Sequence, residues 1–179
     1  MTLLIEMKIL LILFFSLLLN TSLASADDKP GRFFEDQPDV TDEHQIHFIY
    51  LLPSDGEDRE LDINGKMEAI LEKVNDTMFE ATKANKGSGG VGKKYRYDYR
   101  KDGNLDITFI RTSKNWKELQ DKSVNTQMGH YFNQVGGFNN KKKTYFLWTD
   151  VNRGDHGGDA GVGIGGIFVK SNGRYWRCD

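Results

Sequence analysis

The segment that most constrains the fold is a strand, a turn and a long helix between Gln45 and Asn85. Gln45–Leu52 is apolar, aromatic and β-branched, which predicts a strand that ends at Pro53. The residues Pro53–Gly56 have the composition of a tight turn. From Gly65 to Asn85, apolar residues recur at i, i+3, i+4 and i+7, which predicts an amphipathic helix. A strand followed by a helix of this length is typical of domains with mixed α and β structure.

The rest of the chain contains further strand patterns separated by turns and glycine-rich loops. Four strands and two short helices are predicted, in chain order, at Tyr95–Arg100, Leu105–Arg111, Ser113–Gln120 (helix), Gln127–Gln134 (helix), Thr144–Thr149 and Ile167–Lys170. The turn Lys101–Asn104 should join the first two strands as a hairpin. The expected fold class is therefore α/β (α+β), with a mixed twisted sheet and one long amphipathic helix.

The first 26 residues have the pattern of a secretory signal peptide. Lys8 precedes the apolar run Ile9–Leu19, and Ala24–Ala26 is a small-x-small cleavage site. The run is too short to span a membrane as a helix. We therefore expect a signal peptide at residues 1–26, an exposed polar leader at 27–44 and a single domain at 45–179. The expected location is secreted or periplasmic; an uncleaved N-terminal anchor is the alternative.

The charge balance limits the classes of partner. The chain has 24 Lys and Arg against 26 Asp and Glu, so it lacks the basic excess that non-specific nucleic-acid binding needs. After signal cleavage no apolar segment remains that would reach across a membrane. Cys178 is the single cysteine, which is unusual in an exported protein. It is either an inert thiol or the half of a pair whose partner lies outside this sequence.

The acidic loop after the fourth strand is the candidate for a metal site. Asp150, Asp155, His156 and Asp159 offer oxygen and imidazole donors on a glycine-rich segment, and calcium prefers oxygen ligands on such loops. The spacing differs from the EF-hand pattern because Gly154 falls at a ligand position. A solvated turn with no ion is the alternative interpretation.

Other motifs of catalytic chemistry are incomplete. Gly87–Lys94 approaches a phosphate-binding loop, but Lys94 replaces the required hydroxyl and the loop follows a helix instead of preceding one. The four histidines, at positions 44, 47, 130 and 156, contain no pair with metal-binding spacing. The chain has no G-x-S-x-G nucleophile either. The sequence therefore predicts no catalytic residue and no cofactor-binding residue in this chain.

Three stretches resemble secreted bacterial proteins related to zincin-type metallopeptidases. The first is His47–Arg59, with its strand and Pro-Ser-Asp-Gly-x-Asp-Arg turn; the second is Leu105–Arg111; the third comprises Lys143–Asp150 and Gly166–Lys170. The resemblance covers about Gln45 to Ser171. It implies a zincin-like N-terminal subdomain followed by a helix with H-E-x-x-H, whose histidines hold zinc. No H-E-x-x-H occurs in this chain.

The resemblance also implies where a peptide would bind. In zincins, the strand before the active-site helix is a sheet edge, where an extended peptide can pair. By position this strand corresponds to Ile167, Phe168, Val169 and Lys170. The implied partner is thus an extended peptide or a protein substrate.

Three functional interpretations follow from the sequence. The first is an exported, soluble domain that corresponds to the N-terminal part of a zincin-like domain. It would have no catalytic residues of its own, and the sequence is expected to be a fragment. Zinc is then expected only in a complete family member. The second is a non-catalytic secreted or periplasmic binding module. The third is a calcium-stabilised adhesion domain that uses the acidic loop. The sequence does not predict the oligomeric state.

Overall fold

The computed structural model describes residues 26–120 and 140–150, and the backbone alone of two strands between residues 158 and 168. The chain divides into one unit that ends at Pro30 and a second that begins at Gly31. Most of the predicted signal peptide and the predicted helix Gln127–Gln134 lie outside the described residues. Within the described residues, we find no helix that is both long enough and apolar enough to cross a membrane.

The second unit is built on a five-stranded sheet. In chain order its strands are β1 (Gln45–Leu52), β2 (Ile107–Arg111), β3 (Lys143–Thr149), β4 (Gly158–Gly161) and β5 (Ile164–Phe168). Their spatial order is β2-β1-β3-β5-β4. The pairs β1–β2, β1–β3 and β3–β5 are parallel, whereas β4 is antiparallel to β5. The fold is therefore mixed α/β, as the sequence predicts, and the predicted strand at residues 45–52 is present with the same bounds.

Two α-helices are described. The first, α1, is Lys66–Ala84, and a short 3-10 turn, Lys86–Ser88, follows it. The second, α2, is Trp116–Gln120. It begins later than the sequence analysis expects because Asn115, not Ser113, caps it. The Asn115 side chain accepts a hydrogen bond from the Glu118 amide, and the Glu118 carboxylate accepts one from the Asn115 amide.

The main cluster of the hydrophobic core lies on one face of the sheet. Side chains alternate between the two faces of a strand, so alternate residues of β1 belong to this core. It includes Phe48, Tyr50, Leu52, Leu61, Met67, Leu71, Tyr97, Leu105, Ile107, Phe109 and Trp148. Met67 and Leu71 come from α1, which places the buried side of this helix against the sheet. The other residues of β1, including His47, point to the opposite face.

The predicted strand Tyr95–Arg100 is not a regular strand. Tyr97 forms an isolated parallel bridge with Ile46, and Tyr99 forms an isolated antiparallel bridge with Leu105. The turn between them is present, with Gly103 at a φ of 83°. The segment around Tyr97 pairs beside the first residues of β1 and leaves the sheet where β2 begins. Tyr97 and Ile107 pair with the same side of β1, at Ile46 and Phe48, so the two segments follow one another along β1 and do not form a long hairpin ladder.

The leader that the sequence predicts to be exposed is partly docked on the sheet. Phe33 forms a parallel bridge with Thr108, and its carbonyl accepts a hydrogen bond of 2.8 Å from the Phe109 amide. Arg32 is buried. Much of the rest of the leader is exposed, including Phe34, Glu35 and residues 38–40. Composition alone does not reveal that Arg32 has buried partners of opposite charge.

Candidate functional site

The carboxyl ends of β1 and β3 form the first candidate site. From β1 the chain next enters β2 on one side of β1, and it then crosses to β3 on the other side. In open α/β sheets, ligands bind at the carboxyl ends of the strands where the order reverses in this way. Asp150 follows β3 directly, and Tyr50 lies near the end of β1. The topology thus brings these two residues to the same end of the sheet.

Asp150 forms an ion pair with Arg59 at this end of the sheet. The Arg59 Nε donates a hydrogen bond of 2.6 Å to Asp150 Oδ2, and Arg59 Nη2 donates to Asp150 Oδ1. The Tyr50 hydroxyl donates to Asp150 Oδ2 at 3.3 Å. Burial raises the pKa of Asp150 above its usual value, although the Arg59 guanidinium opposes this effect. A calcium ion at Asp150 would have to displace the guanidinium from both carboxylate oxygens.

The Pro-Ser-Asp-Gly-x-Asp-Arg turn after β1 binds other segments through its charged side chains. Asp55 Oδ1 accepts a hydrogen bond of 2.7 Å from the Trp116 amide at the start of α2. The Asp58 carboxylate binds Arg32, and Arg59 binds Asp150. Each of these charged residues holds another segment in place. The contacts of Asp55, Asp58 and Arg59 are those of a charged turn that binds neighbouring segments.

The ion pair of Arg59 and Asp150 gives a testable prediction. We expect Arg59→Met and Asp150→Asn to be coupled by about 1–3 kcal/mol in a double-mutant cycle, because the carboxylate is buried and bidentate. The measurement is urea unfolding of the four proteins. The exposed pair Lys94 and Asp76 is the control, and its coupling should be near zero to ~0.5 kcal/mol. Equal coupling in the two pairs would show that Asp150 is not a buried partner of Arg59.

The second candidate site is an acidic cluster at the amino end of the sheet. We define it as Asp36, Asp39, His47, Asp98, Asp106 and Lys143. His47 Nδ1 lies 2.9 Å from Asp98 Oδ2, and its Nε2 lies 2.9 Å from Thr108 Oγ1. The Lys143 ammonium lies 2.6 Å from a carboxylate oxygen of Asp36, of Asp39 and of Asp98. Four segments that are distant in the sequence meet here.

The environment shifts the pKa values in the acidic cluster in different directions. Burial alone would raise the pKa of Asp98, but hydrogen bonds from His47 and Lys143 outweigh it and leave the pKa low. Burial raises the pKa of Asp106, against the opposing effect of His47. Burial alone would lower the pKa of Lys143, but its hydrogen bonds to Asp36, Asp39 and Asp98 raise it overall. Of Asp98 and Asp106, Asp106 is therefore the carboxylate whose charge is less well compensated.

Sequence reasoning did not find the acidic cluster. The signals were present but weak, since Asp98 alternates with Tyr97 and Tyr99, which places it on the opposite side of the backbone from those aromatic rings. His47 similarly interrupts an apolar strand. What the sequence lacks is any indication that Asp36 and Lys143 approach the same point.

The strand predicted as a peptide-binding edge is not an outer strand of the described sheet. β5 pairs with β3 on one side and with β4 on the other, so Ile167 is an interior residue of the sheet. Phe168 also belongs to β5, and Val169 and Lys170 lie outside the described residues. The outer strands of the described sheet are β2 and, beside β5, β4 (Gly158–Gly161). The sequence analysis missed this strand because a short glycine-rich segment has no apolar alternation.

Most of the remaining predicted residues are not described. Asp159 belongs to β4, whereas Asp155, His156 and Cys178 lie outside the described residues. The described residues also do not contain the histidine pair that the resemblance implies. His44 precedes β1 and His47 lies within it, so the described part of the chain has no pair of imidazoles one helical turn apart.

Neither a protein-family model nor a curated protein matches the chain. Among solved structures, the chain is similar to the crystal structure of catalytically inactive OgpA from Akkermansia muciniphila in complex with an O-glycopeptide substrate, glycodrosocin. The TM-score is 0.44 at 11% sequence identity, over 69% of this chain and 35% of that chain. A similarity at this level assigns no function, and the chain spans well under two thirds of the length of that protein.

Proposed function

We propose that this chain is the sheet-bearing N-terminal part of an exported, zincin-like, metallopeptidase-related domain, and that it holds an extended peptide along β4. The observation that carries the proposal is the position of β4 as the antiparallel outer strand of the sheet. The resemblance of the three sequence stretches supports the family, and the signal-peptide pattern supports export.

The edge strand suits backbone pairing. The outer strand of a sheet presents unpaired amides and carbonyls, and an extended peptide can bind by adding a strand there. The sequence of β4 is Gly-Asp-Ala-Gly, so three of its four residues have either no side chain or a methyl group. Within the described residues, no strand pairs with the outer side of β4. Small residues leave room for the side chains of a bound peptide.

The chemistry of hydrolysis is not assigned to this chain. The H-E-x-x-H motif is absent from the sequence, and the described histidines do not replace it. In this proposal the chain contributes peptide binding, and a hydrolytic metal site would require residues outside these 179 positions. Without such residues the same edge would serve a non-catalytic binding module.

Peptides methylated on single backbone nitrogens test the proposal. A set of octapeptides of varied sequence is screened for binding, and a binding peptide is then N-methylated at each position in turn. We expect alternate methyl groups to abolish binding, because alternate amides of a strand point toward its partner. The intervening positions are the control and should keep binding. Equal sensitivity at all positions, or none, would contradict pairing at a sheet edge.

Proline substitutions locate the peptide on β4. Proline removes a backbone N–H, and the amides of neighbouring strand residues point to opposite sides. Asp159→Pro and Ala160→Pro therefore have different effects. One of them removes an amide that points away from β5, and the other removes an amide that hydrogen-bonds to β5. We expect at least the outward change to abolish peptide binding while circular dichroism shows a folded protein. Retention of binding in both folded variants would place the peptide elsewhere.

A further inference from the structure

We propose that the acidic cluster binds one divalent first-row transition-metal ion, such as Zn²⁺ or Mn²⁺, through Asp36, His47, Asp98 and Asp106. One ligand atom from each of these residues lies within 4.8 Å of the ligand atoms of the other three. The site differs from the histidine pair that the resemblance implies, and it does not depend on peptide binding at β4.

The balance of charge in the acidic cluster favours a cation. Four carboxylates, those of Asp36, Asp39, Asp98 and Asp106, face the ammonium of Lys143 and the imidazole of His47. With the neutral imidazole that metal ligation requires, the group is three positive charges short of neutrality. The side chains of Asp98 and Asp106 are each only 1% exposed, so water screens them weakly. One divalent ion would supply two of these three charges.

Unpaired buried acceptors point to the same conclusion. Asp106 Oδ2 accepts a hydrogen bond of 2.8 Å from the Gln37 amide, but Asp106 Oδ1 has no hydrogen-bond partner. Gln45 Oε1, whose residue pairs with Lys143 in the sheet, is also buried and without a partner. Buried polar groups without a partner are rare because each costs free energy. A metal ion satisfies a carboxylate oxygen for which no donor is present.

The donor set selects the class of metal. Calcium and magnesium prefer ligand sets made only of oxygen, whereas an imidazole with carboxylates suits zinc or manganese. Ligation by His47 Nδ1 requires the tautomer with its ring proton on Nε2. That proton can be donated to Thr108 Oγ1 at 2.9 Å, which would fix the ring orientation. Binding would join the docked leader to the sheet through Asp36.

The first test is metal binding by the full chain. After treatment with a chelator, the protein is mixed with Zn²⁺ alone, and bound metal is measured after gel filtration. We expect one equivalent and an increase in Tm that saturates at that ratio. Ca²⁺ or Mg²⁺ at the same concentration is the comparison and should produce a smaller increase in Tm. No retained zinc would overturn the proposal.

Variants and spectroscopy identify the ligands. Asp106→Asn and His47→Asn should each weaken zinc binding by more than the roughly 10–100-fold that loss of an outer partner causes. The control is Asp42→Asn, which removes an exposed carboxylate that pairs with Lys142 outside the acidic cluster and should leave zinc affinity unchanged. If either variant fails to fold, X-ray absorption spectroscopy of the zinc-loaded unmodified chain identifies the ligands instead. It should show one imidazole in the metal shell, and a shell with none or with two would contradict the assignment.

Discussion

Replacing Arg32 with methionine is expected to lower the free energy of unfolding by about 3–5 kcal/mol, because it leaves two carboxylates without their cation. The Arg32 side chain is fully buried and donates two hydrogen bonds to Asp62, at 2.7 and 2.8 Å. It donates two more to Asp58, at 2.7 and 3.1 Å, and its guanidinium lies 3.8 Å from the centroid of the Phe109 ring. The measurement is urea unfolding near neutral pH.

Arg96→Met is the matched control for this prediction. Its guanidinium pairs with Glu43, but the two side chains are 52% and 69% exposed. Exposed pairs of this kind contribute about 0–1 kcal/mol. We also expect limited proteolysis to cut residues 31–39 faster in Arg32→Met than in the control. Similar stabilities of the two variants would show that Arg32 does not anchor the leader.

Replacing Lys143 with methionine is the second large effect, with an expected loss of about 3–5 kcal/mol near neutral pH. The ammonium is 1% exposed and lies 2.6 Å from an oxygen of Asp36, Asp39 and Asp98. Methionine fills a similar volume but leaves the three carboxylates to repel one another. The measurement is again urea unfolding, with circular dichroism to confirm that the variant folds.

The loss of stability in Lys143→Met should depend on pH. The pKa of Asp98 in the folded protein is below its reference value of 3.8, so its contribution is present above pH 3.8 and is lost as the pH falls further. The pKa of Lys143 is above its reference value of 10.5, so its contribution is present below pH 10.5 and is lost as the pH rises through the folded-state pKa. The difference in the free energy of unfolding between the unmodified chain and Lys143→Met should therefore be constant near neutral pH and become smaller at both low and high pH.

Lys142→Met provides the control one residue away. Lys142 pairs with Asp42, but the two side chains are 53% and 93% exposed. Its replacement should change stability by less than about 1 kcal/mol and with little dependence on pH. A loss in Lys143→Met that persists undiminished in acid would indicate lost packing and not lost charge pairing.

These contacts give the residues after the predicted cleavage site a structural role. The segment 31–39 supplies Arg32 to Asp58 and Asp62, Phe33 to the outer side of β2, and Asp36 to the acidic cluster. Composition suggests an exposed leader because acids and prolines dominate it. The contacts group Gly31 and the residues that follow it with the sheet in one compact unit.

The accuracy of the sequence analysis followed the strength of local periodicity. β1 and α1 were predictable because continuous or regularly spaced apolar residues report burial directly. β4 was not predictable, since Gly-Asp-Ala-Gly has neither apolar alternation nor β propensity and is held by pairing with β5. Because β4 was not predicted, Ile167 was expected at the edge of the sheet, whereas it lies between β3 and β4. Its apolar residues indicated a strand but could not indicate which strands lie beside it.

The sequence by itself determined which local segments can be buried, because hydrophobic spacing is a local property of the chain. It also determined that no histidine pair with metal-binding spacing is present in these 179 residues. Only the tertiary structure decided which charges meet. Arg32 and Asp62 are 30 residues apart, and Lys143 and Asp36 are 107 apart. Ion pairing depends on distance in space, and no local pattern encodes the folding that brings such residues together.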